Sequence, residues 1–148
     1  MKGIRHTGIV VKDMEGALYF YRDLLGFKIV KKMQESGNYI DTVCGVKNVS
    51  VTTIKLSADD NNLIELLYFL SPVSKSDAVV KGLTDKGFTN ISFTVENIDA
   101  IYDYLRKAGI HFNSSPQVSS DGYAKVAFCR DPEGNFIELV EVLVLERK

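Results

Sequence analysis

His6, Glu65 and Glu138 are the residues of this 148-residue chain best suited to chemistry. One imidazole and two carboxylates form a donor set for a divalent cation that leaves positions open for substrate oxygens. Both acids lie inside apolar runs, Leu63-Ile64-Glu65-Leu66 and Phe136-Ile137-Glu138-Leu139. An ionised carboxylate in such surroundings is costly unless it is paired or bound to a cation. The competing reading puts the acids on a solvated sheet face, or pairs them with Arg or Lys such as Lys55 or Lys125. Two glutamates at matching places in one chain argue for a shared partner instead.

The match comes from an internal repeat. Residues 6–22 read HTGIVVKDMEGALYFYR and residues 90–106 read NISFTVENIDAIYDYLR, aligning without a gap at an offset of 84. Later in each half, Asn62-Leu63-Ile64-Glu65-Leu66 matches Asn135-Phe136-Ile137-Glu138-Leu139 at an offset of 73. The order of elements is kept while the loops differ in length.

Helical spacing runs through Met14, Ala17, Leu18, Tyr21, Leu24 and Leu25, with Asp13 placed to cap the start and Gly26 to end it in a left-handed turn. Ile98, Ile101, Tyr102, Leu105 and Ala108 repeat the pattern between Asn97 and Gly109. Strands are expected at Ile4–Val11, Lys28–Met33, Val49–Leu56 and Leu63–Phe69. In the second half they are expected at Thr89–Val95, Ile110–Phe112 with an open-ended extension, Lys125–Cys129 and Phe136–Val142. Each half is then a βαβββ module, 1–70 and 88–148, joined by a linker over 71–87 in which Asp77–Leu83 has a partly helical pattern. The fold class is α+β, with two tandem βαβββ modules forming a curved mixed sheet around a central cavity.

Alternation along a strand decides which face each polar residue takes. Ile9 and Val11 belong with the following helix, so His6, Gly8 and Val10 face away from it. Glu65 shares a face with Leu63, Leu67 and Phe69. Glu138 shares one with Phe136, Val140 and Val142.

Composition narrows the function classes. Eighteen Lys and Arg against nineteen Asp and Glu leave a net charge of -1 with no long like-charge block. That gives no general attraction to nucleic acid or to an anionic membrane surface. No apolar stretch approaches the roughly 20 residues that span a bilayer. Met1-Lys2-Gly3-Ile4-Arg5 lacks the apolar core of a signal peptide. Cys44 and Cys129 lie far apart without CxxC spacing, which fits a reducing compartment. The cytoplasm is the expected location and a small molecule the expected partner.

The doubled βαβββ unit, the His at the first strand, the IEL motif closing each unit and the segment Arg130–Glu141 (RDPEGNFIELVE) together resemble the vicinal oxygen chelate superfamily. His6–Phe27 is the next most specific segment, and the likeness covers nearly the whole chain. Its members include glyoxalase I, methylmalonyl-CoA epimerase, extradiol dioxygenases, and fosfomycin and bleomycin resistance proteins. The resemblance implies one divalent metal ion per site, held at four positions that map onto His6, Glu65, Asn90 and Glu138. Zn, Ni, Co, Mn, Fe and Mg are all open. Asn90 is the weak member, because the family's usual residue there is His and an amide oxygen is the poorer ligand for zinc or nickel.

The resemblance also implies proton abstraction next to a carbonyl or thioester with a metal-stabilised enolate, and makes Glu138 the catalytic base. That would be a lyase or isomerase of the glyoxalase or epimerase type. Two alternatives stay open: a metal-free binding protein that sequesters a small molecule, and an extradiol-type dioxygenase, which needs a second histidine at the metal. A homodimer is the assembly that the resemblance implies.

Other residues carry less. His111 and the tyrosines Tyr19, Tyr21, Tyr102 and Tyr104 are expected as packing or surface groups. Arg130 is expected to order the turn at Asp131-Pro132, and Cys129 to be a buried thiol. Gly122 and Tyr123 are expected in a loop that could flank the cavity entrance. The stretch Gly37–Asn48 is expected to be irregular and to supply specificity.

Overall fold

The computed structural model describes residues 3–58, 60, 62–74 and 82–143. The chain divides into two compact units, Met1–Ala78 and Val79–Lys148.

The first unit opens with β1 (Thr7–Val10) and the helix α1 (Met14–Leu18), which continues into a wide π turn over Tyr19–Leu24. Asp13 caps α1 by accepting from the Gly16 amide at 3.0 Å. Gly26 ends the segment at φ +78°, a conformation that only glycine adopts without strain. The π turn was not legible from spacing alone. Phe20 and Tyr21 lie within it; both rings are fully buried and meet edge to face at 5.0 Å.

Three further strands complete the unit: β2 (Lys28–Ser36), β3 (Ser50–Ser57) and β4 (Leu63–Ser71). The sheet order is β1-β4-β3-β2. β1 and β4 run parallel and the other pairs antiparallel. Ile9, Val11, Ile54, Leu56, Ile64 and Leu66 are buried, as are Ala17, Leu18, Phe20 and Tyr21 of the helical segment. Burial of these alternate residues leaves Glu65 on the other, half-covered face.

The second unit repeats the plan with β5 (Asn90–Thr94), α3 (Ile98–Lys107), β6 (Gln117–Val118), β7 (Ala124–Arg130) and β8 (Phe136–Val142). Its sheet order is β5-β8-β7-β6, again with a parallel first pair. Asn97 caps α3 through the Ala100 amide at 3.0 Å. Glu141 adds a second acceptor at that end, taking the Ile98 amide at 2.9 Å. Ile98, Leu105, Ala127, Cys129, Ile137 and Leu139 are buried. The two expected βαβββ modules are present, their strands forming two four-stranded mixed sheets, one in each unit.

Several local expectations are corrected. The Gly37–Asn48 stretch is not irregular: it holds a helix, α2 (Asn38–Cys44). None of its residues is buried, so it carries no apolar periodicity to read. Asp41 ties its end to β3 by accepting from the Asn48 and Val49 amides at 2.8 Å each. The expected strand at Ile110–Phe112 is reduced to one bridge, Phe112 to Cys129. The pairing resumes at Gln117–Val118, past Pro116, which has no amide to donate. The first strand is shorter than expected and begins one residue after His6. The helical reading near Asp77–Leu83 falls mostly outside the described residues, and Leu83 itself is in a turn.

Candidate metal centre

Parallel pairing of β1 with β4 sets Gly8 opposite Glu65. His6 lies two residues before Gly8, on the same side by alternation. Its Nε2 stands 2.9 Å from Glu65 Oε2. The other carboxylate oxygen, Oε1, is 3.4 Å from Lys55 Nζ. Glu65 is only 13% exposed and Lys55 20%, so this three-group cluster is largely shielded from water. His6 Nδ1 is buried and has no hydrogen-bond partner among the described residues.

The second unit builds the same arrangement from different residues. Thr7 pairs with Ile64 in the first unit and Ile91 pairs with Ile137 in the second, so the repeat holds at the level of register. Asn90 takes the place of His6, and its Nδ2 donates to Glu138 Oε2 at 3.0 Å. Opposite Glu138 on β7 stands Phe128, where the first unit has Lys55 opposite Glu65. The two glutamates therefore differ in surroundings. Glu65 is shared between an imidazole and an ammonium, while Glu138 meets a neutral amide and an aromatic neighbour.

The lysine alternative holds for one acid and fails for the other. Lys55 does pair with Glu65, whereas Lys125 pairs with Asp99 at the start of α3. Spacing alone did not select Lys55, yet its place was readable in principle: in the β3–β4 hairpin it falls directly across from Glu65.

Two donors on one cation, each about 2.0–2.2 Å from it, stand roughly 3 Å apart. The His6–Glu65 and Asn90–Glu138 separations match that spacing. His6 presents Nε2 to Glu65, the nitrogen through which it would hold such a cation; its buried Nδ1 has no partner among the described residues and would gain none from that ion. Asn90 fits less well, because it turns an N–H rather than a lone pair toward Glu138. As a ligand it would have to rotate its amide. Among the described residues, no group of three or more His, Cys, Asp or Glu side chains is gathered closely enough to hold a metal ion. Each unit supplies a pair.

The family is decided by comparison. The Glyoxalase/Bleomycin resistance protein/Dioxygenase superfamily model matches residues 3–139. The chain belongs to this superfamily. Within it, the chain is 32% identical over 147 residues to the lactoylglutathione lyase of Schizosaccharomyces pombe, covering 93% of this chain and 46% of that protein. It thus spans about half the length of that relative. It is 30% identical to a probable lactoylglutathione lyase of Synechocystis sp., over 92% of both chains. A glyoxalase family protein of Bacillus cereus superposes with a TM-score of 0.87 at 25% identity, covering 97% of this chain and 96% of the other.

The remaining candidates fall into structural roles. His111 is exposed. Tyr21 is core, while Tyr19 and Tyr104 are exposed. Tyr102 packs on Phe112 at 4.8 Å. Arg130 orders its turn as expected, donating to the Gly134 carbonyl and stacking 3.6 Å over Phe136. Asp131 is buried and accepts from the Glu133 and Asn135 amides and from Asn135 Nδ2, at 2.8–3.0 Å. Cys129 is fully buried, and burial, with a smaller push from the charge of Asp131, raises its thiol to about 12. Tyr123 is exposed, following Gly122 in a left-handed turn. No helix among the described residues is long and apolar enough to cross a membrane.

Proposed function

We propose that the protein is a metal-dependent lyase or isomerase of the glyoxalase I or epimerase type, acting on a small carbonyl or thioester substrate. The observation that carries this reading is the pair of matched contacts, His6 with Glu65 and Asn90 with Glu138, at one register in both units. The relatives called lactoylglutathione lyase support the reaction class. A divalent ion would take donors from His6, Glu65 and Glu138, with Asn90 the weakest. When bound, such an ion polarises a carbonyl oxygen and lowers the cost of removing a neighbouring proton.

The surroundings of the two acids divide their roles. Glu65 is held in position by Lys55 and His6. Glu138 has only the Asn90 amide as hydrogen-bond partner among the described residues. It is the freer carboxylate, and so the better base. His6 serves as ligand, and Asn90 orients Glu138.

The orientation of the Asn90 amide favours a second reading, a metal-free binding protein. One experiment separates the two. Protein stripped with a chelator and reloaded singly with Zn, Ni, Co, Mn, Fe or Mg is assayed on the hemithioacetal of methylglyoxal and glutathione, on acyl-CoA epimers and on catechols. Turnover lost on stripping and restored by one of the metals supports the proposal. Ligand binding without turnover in every metal form favours the binding protein, and catechol cleavage favours a dioxygenase.

A further inference from the structure

One row of the first sheet runs straight across four strands. Lys31 of β2 is opposite Lys55 of β3, Lys55 is opposite Glu65 of β4, and Glu65 is opposite Gly8 of β1. Directly opposed residues point to the same face, so two ammonium groups and one carboxylate share it. Like charges set directly opposite one another are destabilising. Glu65 offsets Lys55 at 3.4 Å but is itself shared with His6. Lys55 is only 20% exposed, and a shielded ammonium requires a counter-charge. The repeat makes this feature specific to the first unit, since the second has Phe128 at the position of Lys55.

We propose that Lys55, assisted by Lys31, is the anion-recognition element of the site, and that the substrate is an organic oxyanion. Its carboxylate or phosphate group would lie at the two ammonium groups, with the reacting carbonyl end toward His6 and Glu65. This inference rests on the proposed role of that pair as part of the active site. A cation that engages Glu65 leaves Lys55 free to bind a substrate anion. Lys55 is a specificity residue in this account, and proton transfer stays with Glu138.

The test compares pyruvate with its uncharged methyl ester by calorimetric titration at low ionic strength, with inorganic phosphate as a third probe. Wild type, Lys55→Met, Lys55→Arg and Lys31→Met are measured, each both metal-loaded and chelator-treated. Wild type is expected to bind pyruvate or phosphate about tenfold or more tighter than methyl pyruvate, the size of one charge-assisted hydrogen bond. Lys55→Met should erase that preference, Lys31→Met should reduce it, and Lys55→Arg should keep it. Whichever anion shows the preference identifies the group recognised. Lys31 is exposed, so Lys31→Met stays informative if Lys55→Met fails to fold. A wild-type protein without preference for either anion overturns the proposal, as does a preference that survives both methionine variants. Metal content is read on the same samples. Its loss with the anion preference intact would count against the metal and not against Lys55.

Discussion

Asn90 Nδ2 stands 3.0 Å from Glu138 Oε2, in the place where the first unit sets His6 Nε2 2.9 Å from Glu65 Oε2. The contact is geometrically a copy and chemically a downgrade, since a neutral amide donor replaces an imidazole. Asn90→His should therefore tighten zinc or nickel by about tenfold or more. Competition against a chromogenic chelator reads the change. No gain would mean that position 90 does not face the ion.

Glu138→Gln keeps the shape of the side chain but removes its charge and basicity. Turnover should fall about 10²–10⁴-fold, and metal stoichiometry should fall with it. Elemental analysis of the purified variant checks the second half of that statement. Unchanged stoichiometry would remove Glu138 from the ligand set.

Asp131 is the buried anchor of the turn that leads into β8. Asp131→Ala leaves two backbone amides without their acceptor and should cost about 2–4 kcal/mol of stability. The urea midpoint measures it. A loss below the error of that measurement would show that Arg130 and the backbone bonds between residues 131 and 135 hold the turn without the Asp131 side chain.

The two thiols should behave oppositely. Cys44 is exposed and Cys129 buried, so a disulfide reagent at pH 8 should titrate one thiol in the native protein and both in denaturant. Burial holds the folded Cys129 protonated to about 12, against an ordinary 9.0. In the unfolded chain it ionises near the lower value. Its contribution is fully present below pH 9 and is lost between there and pH 12, so stability should fall as pH rises through that window. Cys129→Ala should flatten that fall, and an unchanged slope would assign it to other groups.

The doubled module and the glutamate pair were legible because both are written in period: alternation placed Glu65 and Glu138 away from their helices, and the repeat aligned them. The bounds of β8 were legible because Phe136–Val142 is a mainly apolar run, broken only by Glu138 and Glu141, that follows a turn. What escaped has no periodic signature. α2 buries none of its residues, the π turn breaks the 3.6-residue spacing that would announce it, and the strand after α3 pairs only beyond Pro116. Lys55 was weighed only as a neutralising partner, because a lysine in a strand usually faces water. Only the register across β3 and β4 shows that it stands directly opposite Glu65.

The most direct test of the central claim is diffraction from crystals grown with a transition metal and measured at its absorption edge. The account predicts an anomalous peak beside the His6–Glu65 pair that is lost in Glu138→Gln. A fully loaded protein whose anomalous peak lies elsewhere, or which shows none, would contradict it.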